Sequence, residues 1–168
     1  MRRQITFAIG LAVILVAVYL VLNVVGAAVP LIKDDAKWEW RLVEAPSMAR
    51  SPAGHRLFYS AAFFGWDPNE RLSRYATGYA ICAGPLGPCK DAPDNPILHS
   101  FNDREAGCLS GPGHPGIFQV GVRTFMAFHA WAATSGCHKA EDERYLYIAP
   151  LFWKDGKPQI GMSVRPTR

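Results

Sequence analysis

A handful of side chains in this sequence stand where they could do chemistry, and each also has an ordinary structural reading. Glu44, between Val43 and Ala45-Pro46, offers a carboxyl that could carry a proton, or is a charge at a strand end. His114 closes the run Gly111-Pro112-Gly113-His114 and reads by default as a surface residue after a turn. His129 sits between apolar Phe128 and Ala130, which predicts a buried, hydrogen-bonded core histidine. Arg144 could close an ion pair with Glu141 or Glu143, or present a guanidinium to a carboxylate or hydroxyl. Trp66 and Trp131 offer flat faces for stacking, although aromatics in such a chain usually serve the core. Asp34, Asp35 and Glu39 read as a solvated linker.

The elements that must position these residues begin after an apolar N-terminus. Met1-Arg2-Arg3 precedes a run from Ile5 to Ile32 broken by Thr6, Gly10, Asn23, Gly26 and Pro30. A spanning helix needs about 20 apolar residues, against roughly 7–15 for a signal-peptide core. Phe7 to Val25 is long enough for an anchor, while Gly26-Ala27-Ala28 permits cleavage. The division expected is therefore residues 1–32 as a transmembrane anchor or signal segment and 33–168 as one domain outside the cytoplasm, membrane-anchored or secreted. Cys82, Cys89, Cys108 and Cys137 all follow the apolar run, and none forms a C-x-x-C pair. An even count in an exported domain predicts two disulfides. The turn Gly84-Pro85-Leu86-Gly87-Pro88 brings Cys82 to Cys89, and the other pair is then Cys108–Cys137.

Charged residues make up 19% and hydrophobic ones 49%, with 15 Gly and 13 Pro, which excludes a disordered tail or a coiled coil. Net charge is +4, Arg2 and Arg3 supply half of it, and no Lys/Arg cluster is present that could track a phosphate backbone, so no nucleic-acid partner is expected. Arg56–Ser60, Tyr75–Cys82, Gly116–Val120, Thr124–Ala130 and Tyr145–Trp153 are short β-rich runs separated by Gly, Pro and Asn/Asp clusters. Asp155-Gly156 signals a hairpin. No sustained helical stripe follows residue 33, so the expected class is all-β. Arg56-Leu57-Phe58-Tyr59-Ser60-Ala61 returns as Arg123-Thr124-Phe125-Met126-Ala127-Phe128-His129-Ala130, and Arg74-Tyr75 as Arg144-Tyr145, each about 70 residues on. Recurrence in order and spacing suits the four-stranded blade of a β-propeller.

The motifs from about Trp38 to Met162 resemble the C-terminal half of glycoside hydrolase family 43, the five-bladed propeller group of arabinanases, arabinofuranosidases and xylosidases. Val43-Glu44-Ala45-Pro46-Ser47-Met48 followed by Arg56-Leu57-Phe58-Tyr59-Ser60 is similar to the family's acid-bearing strand and its neighbour. Gly78-Tyr79-Ala80 with Gly84-Pro85-Leu86-Gly87-Pro88, Gly111-Pro112-Gly113-His114, Phe128-His129-Ala130-Trp131 and Arg144-Tyr145-Leu146-Tyr147-Ile148 resemble further family elements in the family's order.

The resemblance implies a partial β-propeller of about two to three blades behind the N-terminal helix. It also implies inverting acid/base hydrolysis of O-glycosidic bonds in arabinose- or xylose-containing polysaccharide. Glu44 takes the position of the general acid. The family's base and its third carboxylate lie upstream of the acid, so this chain holds only the acid position. The other reading is a non-catalytic sugar-binding or truncated remnant. His114 would lie in the pore and help hold a metal ion through water, a Ca²⁺ ion preferring oxygen ligands. Arg144, Trp66 and Trp131 would face the substrate or the pore. Open sheet edges predict self-association.

Overall fold

The computed structural model describes residues 28–65, 72–103, 107–133 and 139–162. The chain divides into Met1–Pro30 and Leu31–Arg168, and only 28–30 of the first unit are described. The apolar run expected to span or lead therefore lies almost wholly outside the described residues. Among those, no helix is long and apolar enough to cross a membrane.

Nine strands among the described residues form two antiparallel meanders. The first contains β1 (Val43–Ser51), β2 (Gly54–Ala61), β3 (Ala76–Cys82) and β4 (Cys89–Asp91), in that order. The second contains β5 (Phe101–Asp103), β6 (Gly107–Val120), β7 (Arg123–Ala133), β8 (Lys139–Lys154) and β9 (Lys157–Ile160). The all-β expectation holds. The internal repeat maps β2 onto β7 and β3 onto β8, so β6 to β9 correspond to β1 to β4 and β5 is an added strand.

β2 is buried on both faces, which explains why Arg56–Ser60 reads as a continuous run without polar alternation. Leu57, Tyr59 and Ala61 pack with Ala80 and Cys82 under Leu31, Ile32 and Trp38. Phe58 and Tyr79 pack on the other face against Leu151, Trp153 and Ile160 of the second sheet. The segment from Leu31 to Leu42 thus caps the first sheet on one side, and the second sheet covers it on the other. Glu39 in this cap is fully buried, contrary to the solvated linker expected.

The two sheets are joined along β6 by hydroxyl groups that meet its main chain. Ile117 N donates to Ser47 Oγ (3.0 Å) and His114 N to Ser60 Oγ (2.6 Å), and Gly111 N donates to Ser100 Oγ (2.8 Å) in the connection just before β5. Thr77 Oγ1 donates to Pro112 O (3.3 Å). At the far end, Arg56 Nη2 donates to Gly156 O (3.1 Å), and Lys157 pairs with Asp94 (3.1 Å). Asp155 and Gly156 both take positive φ, as the two-residue hairpin expected there requires.

Cys82 and Cys89 are joined, and they face each other across the β3–β4 pair. Cys108 is also disulfide-bonded; its expected partner, Cys137, lies outside the described residues.

Candidate functional site

Glu44 sits near the start of β1, where the register with β2 shifts between Glu44 and Ser47. The bulge has a local cause. Ala45 takes φ 53° and Pro46 has no N–H for the ladder, so the strand bends and re-aims the carboxyl. Tyr75, just before β3, donates its phenol proton to Glu44 Oε1. Burial, then the hydrogen bond to Glu44, pushes the Tyr75 phenol above its ordinary value, so it keeps that proton. Oε1 is thereby an acceptor, and any proton that Glu44 itself carries sits on Oε2.

His114 was expected in a loop and instead lies within β6, which continues through Gly111-Pro112-Gly113-His114 by two register shifts. Gly111 and His114 supply the positive φ, 61° and 59°, that such bulges need. Gly113 admits Tyr75: a Cβ there would come within 2.0 Å of the phenol ring.

His129 is not a core residue. Strand alternation buries Met126, Phe128 and Ala130 and turns His129 to the other face of β7, where it is half-buried. Its ring stacks on Tyr75 with centroids 5.9 Å apart and 11° between planes, and lies 5.8 Å from the His114 ring. Arg144, opposite Trp131 on the adjacent strand, places Nη1 3.4 Å from both His129 nitrogens. That equidistance sets the guanidinium against the ring rather than along one lone pair. Arg144 also donates through Nη2 to Phe64 O (2.8 Å) and lies 4.2 Å over the Trp131 ring. Trp131 is therefore a half-buried platform under a guanidinium rather than a core aromatic. Burial, then the Arg144 and His114 charges, holds the His129 imidazole below its usual value, and Glu44 opposes them.

The structure thus brings Glu44, His114, Arg144 and Trp131 into one cluster, and adds His129, which the sequence assigned to the core, and Tyr75, which it gave no role in a site. Trp66 lies outside the described residues. Among the described residues, Glu44 is the one carboxylate that the hydrogen bonds and charges of this cluster involve. Direct Ca²⁺ ligation does not fit here. His114 and His129 present nitrogen, and one oxygen of the single carboxylate is taken by Tyr75, whereas Ca²⁺ takes roughly six to eight oxygens.

A thermostable family-43 glycoside hydrolase of known structure shares 26% identity, with 85% of this chain covering 45% of that one at a TM-score of 0.67. An endo-1,4-beta-xylanase from Bacteroides thetaiotaomicron shares 28% identity, over 78% of this chain and 42% of that one, at 0.60. The chain resembles part of a family-43 glycoside hydrolase. The family-43-like chain spans under half the length of these two structures. An alpha-L-arabinofuranosidase from Lactobacillus brevis, 23% identical over 79% of this chain and 42% of its own, has the same fold at a TM-score of 0.59. No family model and no curated protein matches the sequence.

Proposed function

We propose that the chain acts on O-glycosidic bonds of arabinose- or xylose-containing polysaccharide, with Glu44 as the general acid of an inverting hydrolysis. The observation that supports this most is the Tyr75–Glu44 hydrogen bond in a family-43-like fold, since it fixes which carboxyl oxygen can give up a proton. Similarity to a xylanase supports a pentose polymer as substrate class. Trp131 and Arg144 would hold the sugar by stacking and hydrogen bonding. A Ca²⁺ ion near His114 would be held through water. The Cys82–Cys89 bridge favours an oxidising compartment, in keeping with an anchored or secreted protein.

Inversion also needs a base about 6.5–9.5 Å from the acid, with water between. Glu44 being the one carboxylate of the described cluster favours a second reading, that the chain alone binds sugar without cutting it. Calorimetry with arabino- and xylo-oligosaccharides, beside hydrolysis of aryl arabinofuranosides and xylosides, tests both. Binding is expected, weakened at least tenfold by Trp131→Ala or Arg144→Ala, with little turnover by the chain alone. Turnover abolished by Glu44→Gln would establish hydrolysis with a base outside the cluster. Turnover indifferent to Glu44→Gln would remove Glu44 as the acid, and absence of any sugar binding would overturn the proposal.

A further inference from the structure

The segment from Leu31 to Leu42 is fixed to the first sheet around a buried carboxyl that the site does not use. Glu39 is fully buried, and its Oε1 lies 2.8 Å from Tyr59 OH on β2. The same phenol oxygen lies 3.0 Å from Asp91 Oδ1 on β4 and 3.3 Å from Asn95 Nδ2. A phenol has one proton to give and two lone pairs. Asn95 fills one lone pair. If Glu39 and Asp91 were both ionised, two acceptors would compete for one hydrogen, and one close oxygen–oxygen contact would hold no proton. The count closes when Glu39 carries its own proton on Oε1: it donates to Tyr59, and Tyr59 donates to Asp91. Glu39 Oε2 then accepts from Ala36 N (2.7 Å).

Asp91 is half-buried and Asp35 is exposed, the latter beside Lys33 at 3.0 Å, so Glu39 is the member of this group that water can least stabilise when charged. Burial holds its carboxyl above the ordinary glutamate range, and Asp91 and Asp35 push the same way; a proton donated by Tyr59 to the charged form, and the Ala36 N–H, oppose. Burial, then Glu39 and Asp91, keeps the Tyr59 phenol protonated.

We propose that Glu39 is a neutral carboxylic acid in the folded protein and acts as a proton-dependent latch, holding the Leu31–Leu42 segment on the sheet while protonated and releasing it when that proton leaves. The release would reach β1. Glu39 O accepts from Leu42 N (3.1 Å) and Ala62 N (2.8 Å), so the latch borders the Val43–Ala61 pair at which β1 begins, one residue before Glu44. The latch does not depend on the glycosidase reading.

The sign follows from the raised value. The folded state holds the Glu39 proton more tightly than the unfolded chain does. Stability is therefore fully present below the ordinary glutamate range and falls as pH rises through the folded value. Thermal unfolding of the full chain, followed from about pH 4 to about pH 9, should show the melting temperature falling at the high end relative to Glu39→Gln by about 4 °C or more. Amide exchange across Leu31–Leu42 should accelerate over the same interval. Asp91→Asn, which removes a like charge, should move the transition to lower pH. If Glu39→Gln does not fold, the infrared band of a protonated carboxyl in the native chain is the readout, and it should vanish as those amides become exposed. Equal pH slopes in the native chain and Glu39→Gln, or no protonated-carboxyl band below the transition, would overturn the latch. So would calcium abolishing the pH dependence, because a cation would then be neutralising the pair.

Discussion

Gly113 decides how near the Tyr75 ring comes to β6, and through Tyr75 it decides where Glu44 points. A methyl group at this position would meet the ring at 2.0 Å, and the ring also stacks on His129, the register partner of Gly113. Gly113→Ala should therefore displace Tyr75, cost about 1–3 kcal/mol in urea unfolding, and weaken oligosaccharide binding measured by calorimetry. A variant as stable as the native chain would mean the ring has room to move. Little of this was legible in the sequence. Glu44, His114, Arg144 and Trp131 could be named from motifs, but the Tyr75–Glu44 bond joins β1 to the residue before β3, and no local spacing predicts it. His129 and Glu39 went wrong for one reason in opposite directions. Apolar neighbours at Phe128 and Ala130 share a face that His129 does not, and charged neighbours at Asp34 and Asp35 stay at the surface while Glu39 turns inward.

At the scale of elements, the β3–β4 hairpin depends on a bridge that closes a very short loop. Ala83 N bonds Pro88 O (3.0 Å) and Gly87 N bonds Gly84 O (3.1 Å), so the turn is already organised around the cysteines. Limiting the unfolded chain over a loop this short is worth about 2.5 kcal/mol. The Cys82→Ser/Cys89→Ser pair should lower the unfolding free energy by about that amount in urea titration, and non-reducing peptide mapping should recover the Cys82–Cys89 peptide. Strands with long β-rich runs were readable: β2, β3 and β7 stand where the pattern put them, and the β8–β9 turn stands at Asp155-Gly156. The three-residue strands β4 and β5 are too short to show alternation. β6 was read only from Gly116, because Gly-Pro-Gly-His-Pro carries every mark of a loop; in the fold those residues are bulges that the neighbouring sheet holds within the strand.

For the whole molecule, the two faces of the second sheet differ. One face packs on the first sheet. The other carries Phe118 opposite Phe125, then Leu146, Ile148 and Phe152, with Leu146 75% and Ile148 62% exposed. His129, Trp131 and Arg144 stand on this same face by strand alternation and register. Apolar rows of this kind favour association. Light scattering during size exclusion should show oligomers that grow with concentration, and Leu146→Lys with Ile148→Lys should shift the population toward monomer. A native chain that stays monomeric at high concentration would refute self-association through this face. The hydroxyl groups that hold β6 have a consequence of an evolutionary kind. Ser47, Ser60, Thr77 and Ser100 each engage main-chain atoms of β6, not its side chains. Inheritance of the fold therefore constrains those four hydroxyl positions, whereas the imidazole of His114 takes no part in these bonds and meets His129 instead. Constancy at Ser60 beside drift at residue 114 would then record a lineage that kept the joint between the sheets while the His114–His129 contact was lost.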